Sequence, residues 1–273
     1  MDNVVVQTAE RPDADDVAAV LAAAELGSRQ MGFLDLTLAS DAARTFLVWD
    51  GPRPVATALA LAFGASGWLA NIAVVPAYRR RGLGARVSEL ALAWLVRGGA
   101  RTVTLLATEA GRPVYERLGF ASEGLPYAKY RIPPGLAPKG PVGVRPVDLN
   151  RALALDGQAT GERRGMLLAP LADGLVEAVG AGGAGSGYGL ALPWGGGPVV
   201  SADAAAAHAL WWHVYGQAAG ARWAVAATNE GARALAARYG LPSEATSLRM
   251  RYGPPLGAPG PARVWAAWSL AAG

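Results

Sequence analysis

The sequence predicts an α/β chain built from two related domains. Three observations carry that prediction. Short apolar runs alternate with segments of helical apolar spacing, the pattern of layered α/β folds. A proline- and glycine-rich stretch, 133–141, interrupts the 273-residue chain near its midpoint and can continue neither helix nor strand. An offset of 121 residues lays Gly99-Ala100-Arg101 on Gly220-Ala221-Arg222, Glu109 on Glu230, Arg112 on Arg233, Arg117 on Arg238, Gly119 on Gly240 and Ser122-Glu123 on Ser243-Glu244, nine identities in 26 positions. Self-similarity at a fixed offset marks a repeated unit. The expected domains are therefore 1–132 and 142–273, with 133–141 as linker.

In the first half, Val4 to Thr8 reads as a strand. Arg11-Pro12-Asp13-Ala14-Asp15-Asp16 opens a helix, since Asp side chains cap free N–H groups. Residues 26–40 carry no clear period and read as irregular or weakly helical. Strands follow at Thr45 to Trp49, Val55 to Phe63 and Trp68 to Val75. A basic glycine loop leads into a helix from Leu83 to Arg97, then a strand at Thr102 to Leu106 and a helix at Arg112 to Leu118. Tyr127 to Ile132 closes the half as a strand.

Composition narrows the function. Hydrophobic residues make up 52% and charged residues 17%, the reverse of a disordered chain. The absence of Cys excludes disulfides, thiolate metal sites and a Cys nucleophile. Only His208 and His213 remain as soft ligands, five residues apart on an expected helix, so no metal site is expected. The net charge of +4 can favour an anionic ligand but does not make a nucleic-acid surface. Val55 to Tyr78 runs 24 residues without charge, yet Gly64-Ala65-Ser66-Gly67 breaks it into a hairpin, so no membrane span is expected. The start, Met1-Asp2-Asn3, lacks the basic and apolar regions of a signal peptide, and a cytoplasmic protein is expected.

The most informative stretch is Asn71-Ile72-Ala73-Val74-Val75-Pro76-Ala77-Tyr78-Arg79-Arg80-Arg81-Gly82-Leu83-Gly84-Ala85. An apolar strand ends at a proline, three arginines follow, and two glycines open a helix. Helix N-terminal N–H groups have no intrahelical partner and, with the helix dipole, attract anions. Glycine lets a phosphate approach the main chain, and arginine adds charge-assisted bonds. A solvated basic turn is the plain alternative, but strand, proline, arginines, glycines and apolar helix occur here together and in order.

This stretch resembles motif A of the GNAT acetyltransferases, Arg/Gln-x-x-Gly-x-Gly/Ala, as Arg79-Arg80-Arg81-Gly82-Leu83-Gly84 after Val74-Val75-Pro76. Tyr115-Glu116-Arg117-Leu118-Gly119-Phe120 is similar to the family's Tyr-Glu-x-Leu-Gly-Phe motif. The resemblance covers residues 1–132. It implies a mixed, mostly antiparallel sheet flanked by helices, and acetyl-CoA as cosubstrate without a metal. It places the pyrophosphate on Arg79 to Ala85 and the pantetheine arm along Ile72, Ala73 and Val74, where a splay from the next strand makes room for the thioester. It implies that Tyr115 protonates the departing thiolate; a half-buried aromatic is the other reading of that residue. Thr108 stands near where many relatives carry Asn.

The general base is the weak point. Asn71 stands where many relatives carry Glu, and an amide takes no proton. Asp35 and Glu109 are candidates, with a water relay as the alternative and a surface role open for both. The acceptor is an amine, of a peptide N-terminus or of a small molecule such as an antibiotic. A CoA-binding regulatory or assembly module without turnover is the competing reading.

The second half resembles a GNAT domain with a degraded site. On the same offset Arg79 to Gly84 fall on Val200-Ser201-Ala202-Asp203-Ala204-Ala205, which lack arginine and glycine, and Tyr115 falls on Ala236. Asp203 would repel a pyrophosphate, so this half is expected to shape the acceptor site or an interface. Gly180-Ala181-Gly182-Gly183-Ala184-Gly185 matches a dinucleotide fingerprint, but Ser186 to Leu192 reads as turn and strand, not the helix that fingerprint needs. Trp194, Trp211, Trp212, Trp265 and Trp268 are expected mostly in the core, with some available to line a ligand pocket.

Overall fold

In the computed structural model, the described residues are 4–26, 31–140, 143–179, 186–257 and 263–268. The glycine fingerprint at 180–185 and the tail beyond 268 lie outside them. The chain forms two compact units. The first takes Met1–Ala121 and Met250–Pro254, the second Ser122–Arg249 and Pro255–Ala271.

The first unit begins with β1 (Val4–Thr8), a 3-10 turn at Arg11–Asp13, α1 (Ala14–Ala23) and α2 (Met31–Leu38). Asp13 accepts from the Glu10 N–H at 2.8 Å and so tightens the turn before α1. Helix α2 falls in the stretch read as irregular or weakly helical; burial of Phe33 and Leu34 supplies what weak local propensity does not. Strands β2 (Ala43–Asp50), β3 (Arg53–Phe63) and β4 (Ser66–Val74) form an antiparallel meander with β1 at its edge. Helix α3 (Leu83–Arg97) crosses to β5 (Thr102–Ala107), which pairs parallel with β4. A short helix, α4 (Arg112–Arg117), is followed by a turn at Leu118 and Gly119.

Two faces of this sheet are covered by different helices. Leu83, Val87, Ala91 and Leu95 of α3 pack on Ala56, Ala58 and Ala60 of β3. Small side chains on the strand let the helix lie close, and each buried Leu or Val contributes roughly 1.5–3 kcal/mol. Val17, Val20, Leu21 and Leu34 of α1 and α2 cover Leu47 and Ala73 on the other face.

The second unit takes β6 (Ala121–Arg131) from Ser122 onward, and the division therefore falls before 133–141. The reason is pairing: Tyr127 to Arg131 run antiparallel to Ala226 to Arg222 of β11 (Arg222–Ala226). Residues 133–140 hold neither helix nor strand, as the prolines predict. The unit continues with β7 (Val144–Pro146), α5 (Leu149–Thr160), α6 (Gly165–Leu168), β8 (Leu175–Ala178), β9 (Gly187–Leu190), β10 (Val199–Ser201) and α7 (Ala204–Tyr215). After β11 come α8 (Glu230–Arg238), β12 (Ser243–Tyr252) and β13 (Val264–Ala266). Strands β13-β10-β9-β8-β7 form one antiparallel sheet.

The offset of 121 residues has a structural counterpart. Helices α3 and α7 begin at Leu83 and Ala204, which that offset superimposes. Gly119 and Gly240 both adopt positive φ, +88° and +64°. The N–H after each reaches back to the same place: Phe120 to the Tyr115 carbonyl, Leu241 to the Ala236 carbonyl. The architecture is mixed α/β with mostly antiparallel sheets flanked by helices, as expected from the sequence.

Among the described residues no helix is long and apolar enough to cross a membrane. Among them no group of three or more His, Asp or Glu is placed to hold a metal ion. His208 is buried and bonded through Nε2 to the Tyr239 hydroxyl at 2.7 Å, while His213 is exposed. Trp211, Trp265 and Trp268 are buried and Trp194 and Trp212 partly so.

Candidate active site

The site is set by where β4 leaves its neighbours. Against β3, Leu59 faces Ala70 and Thr57 faces Ala73, so β4 carries one extra residue in that interval. That is a β-bulge, and Asn71 takes up the bend with φ +48°. Asn is among the few residues that tolerate this region. Against β5, pairing runs only from Ser66↔Thr102 to Trp68↔Thr104. Beyond Trp68 the two strands part, and the β5-facing edge of β4 has no ladder partner among the described residues. An unpaired edge offers N–H and C=O groups to an extended partner. Ile72, Ala73 and Val74 lie on this stretch.

The stretch leads straight into a bare helix end. Pro76–Tyr78 form a 3-10 turn, and Gly82 caps α3 with φ +79° and no side-chain bond. An L side chain at that φ is strained, so the loop needs glycine there. The first helical bond runs from the Arg86 N–H to the Gly82 carbonyl at 3.0 Å. The N–H groups of Leu83, Gly84 and Ala85 precede it and have no intrahelical acceptor. A Cβ on Gly84 would meet only Val74 Cγ2, at 3.5 Å, so its glycine is not demanded by packing.

The three arginines around this end are exposed. Arg79 Nε donates to the Val74 carbonyl at 3.2 Å, and the Arg81 guanidinium lies 4.9 Å from the Tyr78 ring centroid. The Tyr78 hydroxyl donates to Asp50 Oδ2 at 2.8 Å, which ties the turn to the end of β2. Arg80 adopts φ +61°. The loop is thus shaped by the residues around it while its cationic groups stay available to an anion.

Tyr115 sits on α4, only 8% exposed. Its ring meets Phe120 edge-on at 6.2 Å and packs against Gly111, where an added Cβ would lie 3.1 Å from the ring. Thr108 accepts from the Gly111 N–H at 3.2 Å and so caps the turn that carries α4. Burial pushes the Tyr115 hydroxyl up to about 12.

The other candidates differ in environment. Asn71 is 9% exposed, and its Nδ2 is buried without a hydrogen-bond partner. Such an orphan costs roughly 1–3 kcal/mol. Asp35 on α2 and Glu109 before α4 are exposed. Asn71, Ile72, Ala73 and Val74 share β4, and Arg79 to Ala85 follow it after a 3-10 turn, so strand and arginine-glycine loop form one continuous feature. Sequence reasoning did not foresee the bulge; Asn inside an apolar strand was its only visible sign.

In the second unit the start of α7, which the 121-residue offset lays on that of α3, carries a side-chain cap. Asp203 caps α7 and accepts from the Ala206 N–H at 2.7 Å. Sequence reasoning also missed a buried cluster in this unit. Arg164 binds Asp156 through Nη2 at 2.6 Å and Nε at 2.9 Å, and the Tyr188 hydroxyl donates to the same carboxylate at 2.6 Å. All three are essentially inaccessible. They join α5 and its following turn to β9, and the Asp156 carboxylate holds the Arg164 guanidinium protonated.

Residues 14–120 match the family model described as Acetyltransferase (GNAT) family, from the start of α1 to the turn after α4. That match lies within the first unit, which is thus similar over this stretch to a GNAT acetyltransferase domain. Over the whole chain the fold is similar to that of a candidate acetyltransferase of Pyrococcus horikoshii, with a TM-score of 0.84 at 20% identity, covering 100% of this chain and 97% of that one. It is similar also to a GCN5-related N-acetyltransferase of Sphaerobacter thermophilus, with a TM-score of 0.65 at 18% identity, covering 94% and 99%. A third, from Anabaena variabilis, gives a TM-score of 0.55 at 10% identity, covering 91% and 72%. No curated protein matches the sequence.

Proposed function

We propose that the protein is an acetyl-CoA-dependent N-acetyltransferase that works from its first unit. One observation carries this reading: an unpaired strand edge at the β4 bulge runs directly into an uncapped helix end flanked by three arginines. The N–H groups of Gly82 to Ala85 bind the pyrophosphate, with Arg79, Arg80 and Arg81 as its cationic surround. The main chain of Ile72 to Val74 binds the amide-bearing arm as an added strand would. The thioester then lies in the gap between β4 and β5.

Transfer is direct. The amine attacks the thioester carbon and displaces the thiolate; the absence of Cys excludes a cysteine acyl-enzyme and agrees with direct transfer. Tyr115 protonates the departing thiolate. A hydroxyl at about 12 is fully protonated at neutral pH and can donate as the thiolate develops. Asn71 orients rather than deprotonates. Asp35 and Glu109 face solvent, which fits proton loss from the acceptor to water or to one of these carboxylates. The acceptor is an amine of a peptide N-terminus or of a small molecule.

The two units are proposed to be tandem copies of one domain, the second without a working site. Asp203 at the end of α7 and Ala236 in place of Tyr115 support this. Calorimetry with acetyl-CoA, followed by thiol release with a panel of amines, tests the proposal. Binding near one per chain and acceptor-dependent thiol release are expected. No binding would overturn it; binding with no release across the panel would favour a CoA-binding regulatory module.

A further inference from the structure

In the first unit, β4, α3 and β5 form a crossover whose two strands pair and then part. The second unit repeats the crossover as β10, α7 and β11, but something lies between its strands. One edge of β10 pairs with β9. The other pairs antiparallel with β13, Val199 opposite Ala266 and Val200 opposite Val264.

Strand β13 is also bound from the β11 side. The Ala267 N–H donates to the Ala224 carbonyl at 3.0 Å, and Trp223 Nε1 donates to the Trp265 carbonyl at 2.7 Å. Trp265 Nε1 returns to β10 by donating to the Ser201 carbonyl at 3.2 Å. Asn229 Nδ2, at the start of α8, donates to the Val264 carbonyl at 3.1 Å. Ala266, Ala267 and Trp268 are buried beside them. An extended, amide-bearing segment therefore fills the gap and is hydrogen-bonded from both sides.

We infer that β13 is a built-in occupant of the second unit's cleft. The chain's own C-terminal strand takes the place of an acyl-CoA arm there, and the Asp203 carboxylate takes the place of the phosphate at the end of α7. The second unit is a closed module that keeps this occupant and exchanges it for no ligand. The inference rests on reading the first unit's cleft as the acyl-CoA site. Both ends of such a ligand have a counterpart in the chain itself: a carboxylate on the helix end, and main-chain amides in the gap. The many partners of β13 make it part of the core rather than a strap over it.

Hydrogen exchange read by mass spectrometry, on the full chain with and without saturating acetyl-CoA, tests this. Amides of 264–267 should exchange slowly in both states, while those of 72–85 gain protection with acetyl-CoA. Trp265→Ala should speed exchange at 264–267 at least about tenfold and leave acetyl-CoA affinity within about twofold. Trp265→Phe, which keeps an aromatic ring and loses the bond to Ser201, should do the same more weakly if the first variant fails to fold. Loss of protection at 264–267 on adding acetyl-CoA, unprotected exchange there in the free protein, or two bound molecules per chain would each overturn the inference. Slow exchange at 264–267 with no protection at 72–85 would overturn the acyl-CoA reading of the first unit, and the inference with it.

Discussion

Replacing Gly84 with Ala should make the protein more stable and a poorer binder of acetyl-CoA. Gly84 is the second residue of α3 and has ordinary helical backbone. Ala in place of helical Gly contributes about 0.5–1 kcal/mol. The new methyl would lie 3.5 Å from Val74 Cγ2, ordinary contact, so no steric cost offsets that gain. At about 2–4 °C per kcal/mol for a unit of this size, the melting temperature should rise by roughly 1–4 °C. The same methyl stands among the N–H groups that would hold the pyrophosphate. Displacing one charge-assisted hydrogen bond costs about 1.5–3 kcal/mol, or roughly 10- to 100-fold in Kd. Thermal melts without ligand and calorimetry with acetyl-CoA read the two effects separately. A raised melting temperature with unchanged affinity would refute the placement of the phosphate. A lowered melting temperature would refute the helical geometry at Gly84.

Gly82→Ala should instead lower both quantities, because φ +79° costs an L residue about 1–2 kcal/mol although nothing lies within 4 Å of its Cβ. Tyr115→Phe should reduce kcat by about 10²–10⁴-fold with little change in acetyl-CoA affinity, measured by thiol release once an acceptor is found. Tyr115 favours its protonated form in the fold, so its contribution to stability is complete below about pH 10 and is lost as pH rises toward about 12; melts across that range check the sign. Asp156→Ala leaves Arg164 buried without its carboxylate and should cost about 3–5 kcal/mol in denaturant titration, with acetyl-CoA binding retained. Asp203→Ala should cost about 1 kcal/mol as a lost cap and leave acetyl-CoA binding at one per chain.

The first unit's crossover was legible because its signals are local. The apolar spacing of Val87, Ala91 and Leu95, the Arg-Gly loop before them and Gly98 after them define α3 at Leu83–Arg97 without help from the rest of the fold. Gly119 and Gly240 show up at the 121-residue offset because a positive φ is required at both. Helix α2 was legible only as weakly helical, since its sequence holds Gly32 and Thr37 and packing of Phe33 and Leu34 decides it. Strand β6 starts at Ala121, well before Tyr127, through Gly124 and Pro126; its pairing overrides local propensity. The Asp156, Arg164 and Tyr188 cluster joins residues 8 and 32 apart, a spacing with no periodic signature. The bulge at Asn71 and the insertion of β13 depend on which strands meet, and no single-chain pattern reports that.

Met250–Pro254 belong to the first unit although more than a hundred residues of the second precede them in the chain. Met250 is fully buried in that unit's core, the Tyr252 ring lies 5.8 Å from Phe120, and Thr102 Oγ1 donates to the Pro254 carbonyl at 2.7 Å. A nascent chain that has reached Ile132 carries the whole arginine-glycine loop and Tyr115 but not these residues. Its Phe120 lacks the Tyr252 ring until synthesis has passed that residue. The unit that holds the candidate active site thus finishes folding after most of the second unit has been made. A fragment ending at Ile132 should express as a sticky, partly ordered species, not as a small working enzyme.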